Sequence, residues 1–216
     1  MKNCPLSLTV GDTMEKLKKP FVIATILIVL LELIGTALSF RNGVSVLIWY
    51  TVESNILALI ASMCLLVTFF ICGSVPEWVK LLRYSATVCL AVTFLVVVLV
   101  LTPWAVPYGM VGDVLYKGPQ IYHHILCPII SFISFVLLEK NGGIKHFHAL
   151  IAAAPTFLYG TVTMLLNILR IIEGPYPFLY VYQQPWFMSL FWYLSILGLS
   201  YIVALIAGKM VRKKNK

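Results

Sequence analysis

Charge is scarce in this chain. Of its 216 residues only 8 are Asp or Glu and 11% are charged, whereas 61% are hydrophobic. A soluble domain of that size needs more polar surface than this to face water, so the soluble globular classes are excluded. The five cysteines, Cys4, Cys64, Cys72, Cys89 and Cys127, are odd in number and show no CxxC spacing, so neither a disulfide framework nor a zinc site is expected. No short apolar segment near the N-terminus ends in a small-residue cleavage pattern, and the first apolar run reads as a retained helix rather than a signal peptide. No internal repeat is evident, which argues against an inverted-repeat transporter.

What the chain does have is six apolar runs, at residues 21–40, 46–71, 84–101, 120–138, 149–169 and 186–207. Most are close to the ~20 residues that carry a helix across a bilayer, and the second is long enough to tilt. The expected fold is all-α: a six-transmembrane-helix bundle forming one integral membrane domain at 21–208. An N-terminal segment at 1–20 precedes it and a basic tail at 209–216 follows. The formal net charge of +8 would suit a polyanion, but its distribution points elsewhere. Apart from Arg41, Lys117 and Arg170, the 16 basic residues fall in the N-terminal segment, the second and fourth connections and the tail. That asymmetry predicts a multi-pass cell-membrane protein with cytoplasmic N- and C-termini. Lys209, Arg212, Lys213, Lys214 and Lys216 then meet anionic lipid heads, and membrane lipids rather than nucleic acid are the expected partners.

Connections are short. Arg41-Asn42-Gly43, Gly73-Ser74-Val75-Pro76 and Asn141-Gly142-Gly143 read as turns. The third connection carries Pro103, Pro107, Gly109, Gly112 and Pro119 with Trp104, Tyr108 and Tyr116. The fifth carries Gly174-Pro175-Tyr176-Pro177-Phe178 with Tyr180, Tyr182 and Trp186. Both are aromatic, proline-rich caps on the predicted outer face.

Beneath those caps lies a polar cluster: Thr51, Glu53 and Asn55 open the second run, and His123 and His124 open the fourth. Polar groups in hydrocarbon are expensive and usually mark a site or a pathway. Both runs start from the same side, and a rise of ~1.5 Å per residue places Thr51 and the two histidines at one depth, roughly 6–8 Å below the helix starts. Thr51, Ser54, Asn55, Ala58 and Ser62 fall on one helical face, as do His124, Cys127, Ser131 and Ser134. Glu53 sits about 200° around from Thr51, on a different face. Asn167 and Arg170, with Glu173, are expected to rim the same cavity. Glu32, mid-span, is a candidate for bundle hydrogen bonding or a proton relay.

Plainer readings stand beside these. A membrane threonine usually bonds its own helix's carbonyl, and histidines near a helix end can reach interfacial water. Arg170 can be a snorkelling interfacial residue. Metal binding by His123 and His124 is not expected, since adjacent helical residues point ~100° apart and no third ligand is evident. No cofactor is expected. A threonine and a histidine together can perform acyl transfer: the hydroxyl is a weak nucleophile that needs a base, imidazole suits that role, and Asn55 would supply an oxyanion donor.

At these residues the chain resembles the androgen-induced-protein family of multi-pass intramembrane threonine hydrolases, in a bacterial-like form. The resemblance rests on Trp49-Tyr50-Thr51-Val52-Glu53-Ser54-Asn55, on His123-His124-Ile125-Leu126-Cys127-Pro128 and, more weakly, on Gly174-Pro175-Tyr176-Pro177-Phe178. It implies hydrolysis of fatty-acid esters, with Thr51 as the catalytic nucleophile. The family's spacing to the following proline fits His123 as the histidine if it is five residues and His124 if it is four; helical phase favours His124. Asn55, Glu53, Asn167 and Arg170 are the residues expected around a lipid-ester substrate. Two other classes fit the same sequence: a small-molecule or ion transporter coupled through Glu32, Glu53 and the histidines, and a non-catalytic membrane scaffold.

Overall fold

The structure, a computed structural model, describes residues 19–41, 43–139 and 144–214. Most of the N-terminal segment, the Asn141-Gly142-Gly143 turn and the end of the basic tail lie outside the described residues. Among those described there is no strand. Six helices are long and apolar enough to cross a membrane: α1 (Lys19–Phe40), α2 (Tyr50–Cys72), α3 (Glu77–Tyr108), α4 (Ile121–Leu138), α5 (His148–Ile168) and α6 (Trp186–Lys214). The chain is an all-α, multi-pass membrane protein.

Large apolar side chains such as Ile23, Phe70, Leu158 and Phe191 point outward. Many of the helix contacts are made instead by small ones. Ala58 and Ala61 of α2 meet Ala86 and Leu90 of α3 and Cys127 of α4. With lipid as solvent there is no gain from hiding leucine, so close backbone approach through small residues drives association. α3 is the central post, packed against α2, α4, α5 and α6, while α1 lies against α2 and α4. The main core joins Tyr84, Val88 and Val92 of α3 to Phe135 of α4, Ala152 of α5 and Ala204 of α6. The Tyr84 hydroxyl donates to the Ala204 carbonyl, and its ring stacks on Phe135 at 5.3 Å.

Three boundaries differ from the sequence expectation. The second run starts as helix only at Tyr50, because Val44–Ile48 forms a 3₁₀ turn. Thr51 is therefore in the first turn of α2, not five residues inside it. The third run extends back to Glu77. Arg83, expected in a connection, is fully buried, with Nε donating to Glu139 Oε1 at 3.0 Å and Nη1 donating to Ser131 Oγ at 2.7 Å. An arginine ends an apolar run only when it lacks a partner, and this one has a carboxylate across the bundle. The sixth run continues as helix to Lys214.

Two helices widen just ahead of a proline. The turn Val97–Leu101 precedes Pro103, and Ile121–Leu126 precedes Pro128; both are π-helical, with Thr102 N–H donating to Val97 O and Cys127 N–H to Tyr122 O. Proline has no N–H for the carbonyl four residues back and its ring crowds it. An i→i+5 turn relieves both problems without ending the helix.

Because Arg83 and Glu139 are both out of solvent, removing one leaves the other as a buried lone charge. Glu139→Ala is expected to destabilise the fold by about 3–5 kcal/mol, read by denaturant unfolding in detergent. The Arg83→Met, Glu139→Leu pair should recover most of that loss; a wild-type midpoint for Glu139→Ala would refute the account.

Candidate functional site

The site forms where α2 begins. His124 Nε2 lies 3.3 Å from Thr51 Oγ1, and His124 Nδ1 bonds the Val114 carbonyl. A carbonyl only accepts, so in the neutral imidazole Nδ1 carries the proton and Nε2 presents its lone pair to the Thr51 hydroxyl. Val114 belongs to a short helix, Val111–Leu115, that the third connection folds back over α4. A hydroxyl, an imidazole facing it and a backbone carbonyl holding that imidazole thus stand in line, an order that suits activation of a hydroxyl by a base.

A second imidazole faces the same space. His123 Nε2 is 2.9 Å from Ser39 Oγ, and its Nδ1 is 3.9 Å from Glu32 Oε2. Gly35 lets α1 approach this ring: a Cβ there would stand 2.9 Å from His123 Cε1. Ser39, Thr51, His123 and His124 all line one cavity of about 400 Å³, with Trp49, Trp104 and Tyr176 among its other walls.

Tyr176 closes the site from the fifth connection. Its hydroxyl is 3.2 Å from Thr51 Oγ1 and accepts the Thr51 backbone N–H at 3.3 Å. Its ring stands edge-on to Trp49 and stacks on Phe178. Burial pushes the phenol above its usual value, partly offset by the bonds with Thr51, so Tyr176 remains an O–H donor at any ordinary pH. The segment that carries it is clamped by Asn167, whose Nδ2 donates to Leu179 O at 2.7 Å. Gly174 makes room for that clamp, since a Cβ would fall 2.4 Å from Asn167 Nδ2 and 2.9 Å from Leu179 O.

Thr51, His123 and His124 are therefore together, and the other expected substrate contacts are not. Asn55 is buried on the expected face, but its amide is committed to backbone, donating to Thr51 O at 2.7 Å and His123 O at 3.4 Å. It ties α2 to α4 and does not line the cavity. Glu53 is exposed on the outward side of α2. Asn167 and Arg170 border a separate cleft with Glu173. Arg170, two residues past α5, is in a left-handed conformation (φ 57) and lays its guanidinium 4.5 Å over the Tyr182 ring. Sequence reasoning did not single out Tyr176, Val114 or Ser39. The only signal for Tyr176 was its place in Gly-Pro-Tyr-Pro-Phe; a carbonyl orienter leaves none. Among the described residues no group of three His, Cys, Asp or Glu side chains is gathered to hold a metal.

Fold and site together define a multi-pass membrane protein with a hydroxyl–imidazole pair at the wall of a cavity. No family model, curated protein or solved structure matches the chain.

If Gly174 is what permits the clamp, Gly174→Ala should loosen the 169–185 segment alone. Hydrogen exchange and limited proteolysis there are expected to rise while helical circular dichroism stays at the wild-type level. Unchanged protection would show that the segment is held by other contacts.

Proposed function

We propose that this protein is an intramembrane lipid-ester hydrolase in which Thr51 is the nucleophile and His124 the base. The observation that carries the reading is the 3.3 Å approach of His124 Nε2 to Thr51 Oγ1, with Nδ1 held by the Val114 carbonyl. The resemblance to the androgen-induced-protein hydrolases at Thr51 and at the histidine pair points the same way.

The chemistry runs in two balanced halves. Thr51 Oγ1 attacks the ester carbonyl carbon as its proton passes to His124 Nε2. Negative charge on the former carbonyl oxygen meets the Tyr176 O–H, the donor at that point. The bond to the alcohol breaks, and the alcohol departs with the proton from His124. Water then attacks the threonine ester, giving its proton to the same imidazole, and the acid leaves as Thr51 is restored. In this scheme Tyr176 takes the oxyanion role that sequence reasoning gave to Asn55.

A fluorophosphonate probe should label Thr51 in the purified protein, with the site mapped by mass spectrometry. Thr51→Ala removes that label, while Thr51→Ser keeps part of it, since the hydroxyl survives without the methyl that fixes its rotamer. His124→Ala should slow labelling by ~10²-fold or more, and His123→Ala by less. Tyr176→Phe should cost ester hydrolysis about 10²–10³-fold, equally at neutral and mildly alkaline pH because the phenol does not ionise there. Failure of several such probes on well-folded protein would sink the hydrolase reading and favour transport through Glu32 and His123.

We also propose that both termini are cytoplasmic, from the distribution of basic residues. Cysteine placed after Gly112 should then react with an impermeant maleimide added outside cells, and cysteine after Ser74 should not. The reverse pattern would turn the site toward the cytoplasmic leaflet.

A further inference from the structure

We infer that a second, narrow cavity beside Thr51 is the acyl-chain subsite, taking an unbranched hydrocarbon chain that leaves the bundle between α5 and α6. The inference rests on the hydrolase reading and deepens it. The slot holds about 50 Å³, and Thr51, Leu101 and Tyr176 line both it and the larger cavity. The nucleophilic hydroxyl thus stands where two spaces meet.

The slot offers carbon. Val92, Val96, Val97, Ile196 and Leu197 form much of its wall. Its hydroxyl-bearing residues are already engaged: Thr93 with Ser54 at 3.0 Å, Thr156 with Tyr50 at 2.7 Å, Tyr193 with Thr161 at 2.8 Å, and Tyr159 donating to Ile48 O at 2.8 Å. Beyond Thr51 and Tyr176 at its mouth, a polar occupant would meet only hydroxyls already paired and would forfeit its own solvation, whereas a hydrocarbon chain forfeits nothing. The slot also extends to the seam between α5 and α6. Gly160 of α5 and Tyr193 of α6 line it and are only partly buried, and a Cβ on Gly160 would touch the Tyr193 ring at 3.5 Å.

Proton transfer decides which half of the ester goes where. The departing alcohol oxygen must take its proton from His124, so it lies on the His124 side of the carbonyl. His124 lines the 400 Å³ cavity and not the slot. The alcohol half therefore occupies the larger space, and the acyl half points the other way. The slot's narrowness excludes branching close to the carbonyl. A chain that parts the seam between Gly160 and Tyr193 carries its tail on into lipid, so the slot sets no limit on length.

The test uses the full chain in lipid nanodiscs and a dodecyl fluorophosphonate carrying a mid-chain diazirine. After Thr51 is labelled, illumination should crosslink the chain to α5 and α6 around Gly160, Ile196 and Leu197. Crosslinks to Trp104, Pro175 or Pro177 would place the chain in the larger cavity and overturn the assignment while leaving the hydrolase reading intact. No labelling of Thr51 by this or a short-chain probe would overturn both. As a second measurement, Gly160→Leu should lower laurate ester hydrolysis at least ~10-fold more than butyrate ester hydrolysis, the size expected when a few methylenes lose their pocket. An unchanged laurate-to-butyrate ratio would count against the slot.

Discussion

A helix that starts among packed protein groups must find partners for its first backbone amides, because a buried amide left unpaired is costly. The beginning of α2 is shaped by that requirement. Thr51 N–H is taken by the Tyr176 hydroxyl, and the Ile48 carbonyl just before the helix is taken by the Tyr159 hydroxyl. Ser54 Oγ and Asn55 Nδ2 both donate to the Thr51 carbonyl. One residue thereby gathers partners from α2 itself and from the fifth connection. The Thr51 hydroxyl and the phenol are neighbours because the phenol also satisfies a backbone donor.

The prolines act at the same end of the bundle. Widening of α4 ahead of Pro128 changes the angle between successive side chains, and both histidines end up buried with different partners: His123 on Ser39 of α1, His124 on Thr51 of α2. Widening of α3 ahead of Pro103 lets that helix run on to Tyr108. The chain then turns at Gly109, in a left-handed conformation (φ 66), and returns as the short helix that places the Val114 carbonyl against His124. The orienting group exists because an apolar helix was carried past a residue that usually ends one.

Much of this was legible. Six spans follow from run length, and the buried face of α2 (Thr51, Ser54, Asn55, Ala58, Ser62) follows from helical period. The depth of Thr51 was not legible, because Val44–Ile48 is as apolar as the helix that follows it and hydropathy does not register where hydrogen bonding changes. Arg83 was misplaced for a related reason: its partner Glu139 is 56 residues away, and a local window sees only the charge. Tyr176 meets Thr51 across 125 residues, beyond any spacing argument. Asn55 was on the right face, but whether an amide points into a cavity or back to the chain depends on which carbonyls lie near it.

The two ends of the bundle use similar residues to opposite effect. At one, Arg83, Ser131, Ser134 and Glu139 are tied to one another in a buried chain of hydrogen bonds, so the polar groups there serve packing. At the other, Thr51, His123, His124 and Tyr176 border open volume, and their bonding capacity faces whatever enters it. Their positions are nonetheless fixed at two points where a side chain would not fit. Gly35 lets α1 seat His123, and Gly174 lets Asn167 hold the Tyr176 segment. A site with room for a ligand needs walls that do not collapse into that room. Here the absence of two Cβ atoms lets a helix and a loop pack close around the space instead of into it.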